Sequence, residues 1–242
     1  MGISRGNITT NIIKKGLVFN MDAANRASYP KTGTTAINTI NNTTGTLQSS
    51  GMFENINSGV FDFDGATNYI DFGRFISLEN TSTVSISFWL KIPSTGAKSY
   101  LGYWDHPNGW LIEADAYSIY FAIGNTSYNA LKLAYSGNIS TNIWYHIAMI
   151  FNGTQTGNAN RLKVYLNGTQ KTLTTHSSSV IPSSIPSIPN AVITIGGIIP
   201  ATINGTKNIG PTQIYNRALS ASEVLHNYNA LKGRFGLLNS DL

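Results

Sequence analysis

The sequence predicts an all-β domain, a two-sheet antiparallel sandwich with one short helix near its C-terminal end. Three observations predict it. Charged residues make up only 11% of the 242-residue chain, against about 25% in ordinary soluble domains. Asn, Thr, Ser and Gly fill the gap, which suits short strands and polar turns better than charged surface helices. Apolar and polar residues alternate over successive segments, as they must on a pleat whose side chains point to opposite faces in turn. Gly, Asn, Asp or Pro closes most of these segments.

Residues 16–21 give the first strand. Phe61 and Phe63, then Ile70 and Phe72, alternate with polar residues on either side of a 64–68 loop, a half-buried hairpin. Over 84–92, Val84, Ile86, Phe88 and Leu90 take one face and Trp89 the other, so both faces are covered, as in a sandwich. Segments 99–104, 110–114 and 117–123 continue the series, and 143–151 is a second long central strand. Segments 161–166 and 170–173 flank Asn167-Gly168, the strongest short hairpin signal in the chain. Segments 191–195 and 209–215 complete the set.

Residues 220–231 break the pattern. Val224, Leu225, Tyr228 and Leu231 fall on one helical stripe, Ser220 and Glu223 have capping-box spacing, and Gly233 supplies a stop. Two stretches read as long loops, 30–50 and 177–190, the second because Pro182, Pro186 and Pro189 rule out a central strand. The inter-sheet core is expected around Phe61, Phe63, Phe88 and Trp144. The expected division is an N-terminal arm or tail over 1–15, one domain over 16–236 and a C-terminal tail over 237–242.

Composition also excludes. There is no cysteine, so there is no disulfide, thiolate metal site or cysteine nucleophile. The net charge of +5 is scattered, and Lys14-Lys15 is the one adjacent basic pair, unlike the basic stripe of a nucleic-acid interface. No apolar run is long enough to cross a bilayer. Residues 1–15 lack the features of a signal peptide, so export by the general secretory route is not expected. His106, His146, His176 and His226 are dispersed, without metal-ligand spacing. Neither a Gly-x-Ser-x-Gly elbow nor a phosphate-cradling loop is present.

A series of segments then carries a resemblance. Gly16-Leu-Val-Phe-Asn-Met-Asp-Ala-Ala-Asn25 and Ser28-Tyr-Pro30 come first, then Phe61-Asp-Phe-Asp-Gly-Ala-Thr-Asn-Tyr-Ile70 and Ile86-Ser-Phe-Trp-Leu-Lys91. Trp144-Tyr-His-Ile-Ala148, Lys163-Val-Tyr-Leu-Asn-Gly168 and Ile214-Tyr-Asn-Arg-Ala-Leu-Ser220 follow. In this order they resemble the laminin-G-like, concanavalin A-like jelly rolls over roughly residues 16–231. The opening segment and the ending Asn227-Tyr-Asn-Ala-Leu-Lys-Gly-Arg-Phe-Gly236 are similar to versions found in tailed-bacteriophage virion proteins. That likeness implies a non-catalytic structural or binding protein on a virion surface: a capsid decoration, head fibre or tail-associated adhesin. It further implies contact with other virion proteins, a homo-oligomer and, as a ligand, cell-surface polysaccharide. The alternatives are a carbohydrate-binding adhesin outside a virion and a glycoside hydrolase.

The expected binding loop is Tyr103, Trp104, Asp105, His106 and Asn108, where aromatics can stack on a sugar ring and polar neighbours can hydrogen-bond it. The alternative for Trp104 and Trp110 is that both pack the core. Glu113 and Asp115 are the candidate catalytic pair, because residues i and i+2 of a strand share a face and adjacent carboxylates can divide acid and nucleophile roles. Jelly-roll glycoside hydrolases add a further Glu on that strand, and Ala116, Tyr117 and Ser118 follow here instead. Calcium is the one cofactor considered, with Asp62, Asp64, Asp71 and Asp105 as weak ligand candidates. The family's acidic residue before its last strand is replaced by Gly210-Pro-Thr-Gln213, and turn chemistry is the competing role for Asp64.

Overall fold

The computed structural model describes residues 11–135, 137–176, 180–198 and 205–237. In chain order the strands are β1 (Leu17–Met21), β2 (Thr35–Ile37), β3 (Thr44–Leu47), β4 (Phe53–Glu54), β5 (Val60–Gly65), β6 (Ile70–Asp71), β7 (Thr83–Lys91), β8 (Lys98–Asp105) and β9 (Asn108–Ala114). They continue as β10 (Ser118–Gly124), β11 (Ala130–Ala134), β12 (Trp144–Asn152), β13 (Leu162–Leu166), β14 (Thr169–Lys171), β15 (Thr174–Thr175), β16 (Ile193–Ile195) and β17 (Gly205–Tyr215). A helical turn, α1 (Asn158–Arg161), precedes β13, and α2 (Ala221–Leu231) follows β17.

Two antiparallel sheets result. One runs β14-β13-β12-β7-β17-β5-β4 with β1 on β17, and the other runs β15-β11-β10-β9-β8-β16-β6-β3-β2. Their inner faces meet in one core that includes Phe19, Phe61, Phe63, Phe88, Trp110 and Phe121. The predicted jelly-roll sandwich is the observed architecture. No helix among the described residues is long and apolar enough to cross a membrane.

Trp144 departs from the expected core. It lies on the outer face of the eight-stranded sheet with Trp89, Tyr228 and Phe235, because α2 and the turn after it cover that face. Trp89 stacks on Phe235 with ring centroids 4.1 Å apart. The α2 capping box forms as predicted, with Ser220 capping the Glu223 amide and the Glu223 side chain returning to Ser220. Gly233 does not end the helical run; a 3-10 turn carries it to Phe235, and Gly236 closes it in the left-handed region at φ 75°. Pro211 sits inside β17 where its register on β7 shifts, so the missing N–H falls at a bulge.

Both long loops carry more structure than the sequence suggested. Segment 30–50 contains the β2–β3 hairpin, and its Ala36 and Leu47 are buried. Buried Asn38 replaces ladder bonds there: its side chain accepts from the Asn20 amide at 2.9 Å and donates to the Val18 carbonyl at 3.1 Å. In the Pro-rich segment, Ile181, Ile185 and Ile188 enter the core, and Ile185 donates to the Thr81 carbonyl. Residues 177–179 of that loop, residues 1–10 of the expected arm and 238–242 of the expected tail lie outside the described residues. Residues 11–15 dock on the domain. Ile13 donates to Asn227 Oδ1 and accepts from the Tyr215 hydroxyl, and Arg217 donates to the Lys15 carbonyl.

Candidate functional site

The expected binding loop is a tight hairpin between β8 and β9, with Asp105 opposite Asn108. Tyr103 is not available to a ligand. It is wholly buried, its hydroxyl donates to Glu79 Oε1 at 2.7 Å and accepts from the Phe75 amide at 3.2 Å. Strand alternation sends its neighbour Trp104 to the opposite, outer face. There Trp104 is only 6% exposed, covered together with Leu111, Ala122, Ala130 and Ile198. It is floor, not a free stacking platform. His106 is exposed, and Asp105 and Asn108 are half-buried, with Asn190 donating to Asp105 Oδ2 at 3.2 Å. The close approach of this hairpin to β10 requires Gly124, where a Cβ would overlap the Pro107 carbonyl and the Trp104 ring.

The Trp104 floor belongs to a larger cluster on the outer face of the nine-stranded sheet. Tyr128 meets Trp104 edge-on at 5.9 Å, and its hydroxyl donates to Glu113 Oε1 at 2.7 Å. Tyr120, opposite Glu113 on β10, donates its hydroxyl to Asp115 Oδ2. The His176 ring lies 4.2 Å from that of Tyr120 and 6.3 Å from that of Tyr128. Lys132 is the cross-strand neighbour of Tyr120. Glu113 and Asp115 therefore do share the outer face, but each is held by a tyrosine.

Electrostatics follow from those bonds. Burial works to raise the Asp115 carboxyl. Hydrogen bonds from Tyr120 and from the Tyr117 and Ser118 amides, with the Lys132 charge, outweigh it and hold the group below its ordinary value. Burial and then Asp115 push the Tyr120 hydroxyl up to about 12, so it stays a donor. The Tyr128 hydroxyl is raised for the same reasons, with Glu113 as its partner. The face thus presents carboxyl oxygens beside ring edges, an arrangement suited to hydroxyl-bearing ligands.

The aspartates considered for calcium serve the protein itself. Asp64 Oδ1 accepts from the Ala66 amide and Asp71 Oδ1 from the Gly73 amide, while Asp62 Oδ1 accepts from Asn208. Among the described residues no group of three or more His, Asp or Glu side chains stands close enough to hold a metal ion.

Sequence reasoning missed Tyr120, Tyr128, His176 and Lys132. Tyr120 was legible by phase: Ile119, Phe121 and Ile123 enter the core, so Tyr120 must face out. Tyr128 lies in a loop and His176 just past β15, and no local signal places either. The Glu79 network beneath the hairpin was also missed. Arg74 binds both Glu79 oxygens at 2.7 and 2.9 Å, and Tyr103 and Ser187 hydroxyls donate to the same carboxylate.

Comparison with known proteins agrees with this architecture. A family model described as the concanavalin A-like lectin/glucanases superfamily matches residues 64–225. The receptor binding domain of botulinum neurotoxin C/D mosaic serotype is 18% identical with a TM-score of 0.65, over 88% of this chain and 51% of that one. The botulinum neurotoxin serotype D ligand binding domain in complex with N-acetylneuraminic acid is 16% identical with a TM-score of 0.64, over 88% and 50%. Trypanosoma rangeli sialidase in complex with sialic acid is 14% identical with a TM-score of 0.62, over 93% and 34%. The chain spans about half the length of the toxin domains it matches and about a third of the sialidase. At these identities the likeness speaks for the fold. Among curated protein sequences none matches the chain.

Proposed function

The chain belongs to the concanavalin A-like lectin/glucanases superfamily, and we propose that it is a non-catalytic glycan-binding module working on the surface of a bacteriophage particle. The observation that carries the binding reading is the tyrosine-held carboxylate pair on the outer face. Glu113 and Asp115 are fixed by Tyr128 and Tyr120 beside the His176 ring, a rigid row of acceptors and ring edges for sugar hydroxyls and C–H faces. The further strand Glu that jelly-roll glycoside hydrolases add is absent, with Ala116, Tyr117 and Ser118 in its place, which supports the non-catalytic reading. Structural neighbours named as a receptor binding domain and as a ligand binding domain in complex with N-acetylneuraminic acid support a recognition role.

The virion setting is supported by the likeness of the opening and closing segments to phage virion proteins. In that setting the partners are other virion proteins and further copies of the chain. It is tested by electron microscopy of particles lacking this protein: a missing surface feature is expected, and an unchanged particle removes the idea.

The binding reading is tested on a glycan array followed by calorimetry. Tyr128→Ala removes a ring and releases Glu113, and it is expected to weaken binding about tenfold or more, as loss of an aromatic anchor does. Absence of any glycan binding by the native protein overturns the reading. Turnover of a β-glucan by the native protein but not by Glu113→Gln overturns its non-catalytic part.

A further inference from the structure

The opposite side of the sandwich carries a cleft of about 420 Å³, within the size range of small-molecule sites. It opens on the outer face of the eight-stranded sheet, between strands β12–β14 and the residues that lead into α2, Ala218, Leu219, Ser220 and Ala221. Its floor is apolar, formed by Ile150 and Leu219. Around that floor stand polar side chains, among them Asn152, Lys163 and Gln170. Ile150 pairs across the sheet with Lys163, and Tyr165 with Gln170, so the residues that aim the cleft are fixed by strand register.

The side chains on the β12–β14 strands offer donors, while Asn160, whose NH2 donates to the Thr156 carbonyl, keeps Oδ1 as an acceptor for a sugar hydroxyl. Asn152 Oδ1 is occupied by the Thr154 amide and hydroxyl, which leaves the Asn152 NH2 to donate. Gln170 Oε1 accepts from the Tyr165 hydroxyl at 3.2 Å, which leaves the Gln170 NH2 to donate. Lys163 adds a cation, and neither Asp nor Glu lines the cleft. A cleft with an apolar floor, amide donors and one ammonium fits a polyol that carries an anionic oxygen pair.

We infer that this cleft is a second glycan site, selective for a sugar bearing a carboxylate, such as a uronic acid. Its polarity is opposite to that of the Glu113–Asp115 face, where an acidic sugar would meet two carboxylates. The two faces would then recognise different sugars on one surface. That the ligand is a sugar rests on the glycan-binding reading above; the location and the acid preference rest on the cleft alone.

The test is a nuclear magnetic resonance titration of the whole chain with methyl glucuronide and methyl glucoside, which differ only in the carboxylate. The glucuronide is expected to bind about tenfold more tightly, the size of a charge-assisted hydrogen bond. Lys163→Gln should remove that difference, and Asn152→Ala should weaken the glucuronide. Lys163 is half-exposed on its strand, so Lys163→Gln is expected to fold, and urea unfolding verifies it. Equal affinity for the two ligands, or a glucuronide affinity that Lys163→Gln leaves within about twofold, overturns the inference. Glucuronide binding lost in Tyr128→Ala and kept in Lys163→Gln also overturns it, while leaving the first face standing as a glycan site.

Discussion

Replacing Glu79 by Gln tests the network that fixes the site hairpin to the rest of the sandwich. Glu79 is almost fully buried and takes four hydrogen bonds on its two oxygens, from Arg74 twice, Tyr103 and Ser187. The Arg74 hydrogen bonds hold its carboxyl at about 2 against an ordinary 4.5, with Tyr103, Ser187 and the Ile188 backbone helping against the cost of burial. A carboxyl so displaced contributes roughly 3 kcal/mol at neutral pH. The Arg74 side chain is 40% exposed and turns to water when its partner is lost, so part of that figure is screened. Glutamine keeps one acceptor and turns the other into a donor that faces donors. Glu79→Gln should therefore lower stability by about 2–3 kcal/mol at pH 7, read as a shift of the urea midpoint at constant slope. The sign with pH is fixed. A depressed carboxyl stabilises above its unfolded value and loses that contribution as pH falls. The gap between native protein and variant should close between about pH 4.5 and pH 2. A gap under about 1 kcal/mol at pH 7, or one that persists undiminished at pH 2.5, refutes the reasoning.

Three further outcomes follow from other parts of the structure. Burial drives the His146 ring down to about 3, and its Nδ1 finds no protein partner. The unfolded chain binds that proton first, so stability should fall by about 1 kcal/mol for each pH unit below about 6.5. His146→Phe should flatten that slope in urea titrations from pH 7 to 5, and an unchanged slope counts against it. Gly124→Ala should displace the 105–108 hairpin at a cost of about 2 kcal/mol, visible as altered near-ultraviolet dichroism from Trp104; an unchanged spectrum and melting temperature would reject the packing argument. Arg217→Ala frees the Glu223 carboxyl, held at about 2 chiefly by that arginine, and releases the Lys15 carbonyl, the C-terminal tie of residues 11–15. Faster amide exchange at Leu17 is the expected readout, and unaltered protection would show the docking to be independent of Arg217.

Strands were legible wherever one face is buried: Phe61 and Phe63, and Val84 through Leu90, fix strand and face because a slip of one residue would expose the whole set. The partner was not: the expected hairpin of 61–63 with 70–72 does not form, since β5 pairs with β17 and β4 in one sheet and β6 with β16 and β3 in the other, the 66–69 segment crossing between the layers. The α2 cap was legible because Ser220 and Glu223 satisfy backbone donors that any helix leaves open. β11 was missed because Ala130, Leu131, Lys132, Leu133 and Ala134 have weak strand preference. Its Leu131 and Leu133 are set inward by pairing with β10. Ile181, Ile185 and Ile188 were hidden by proline: a segment that cannot join a ladder can still cap a core with side chains. The site failed for a different reason. Between Ser99 and Leu101 the β8 register shifts against β9, and Tyr100 and Leu101 both join the core. Local alternation cannot show where such a shift falls, so the sequence left open which of Tyr103 and Trp104 faces out.

The two sheets divide labour through what covers their outer faces. A sandwich spends its inner faces on the core, so only outer faces and rims can meet a partner. On the eight-stranded sheet α2, the 3-10 turn and residues 11–15 bury the apolar outer residues, which leaves the β12–β14 margin as the open ground. The nine-stranded sheet has no helix laid on it among the described residues. Its Trp104, Leu111 and Ala122 are shielded by Tyr120, Tyr128 and Ile198 instead. Those tyrosines must then do two things at once, excluding water from the floor and satisfying Glu113 and Asp115, whose desolvation would otherwise be costly. A ring that is pinned at its hydroxyl and packed at its edge loses little freedom when a ligand arrives. Preorganisation of this kind favours recognition by fixed contacts, and on the glycan-binding reading proposed above it places the weight on Tyr128 more than on the hairpin tip at His106.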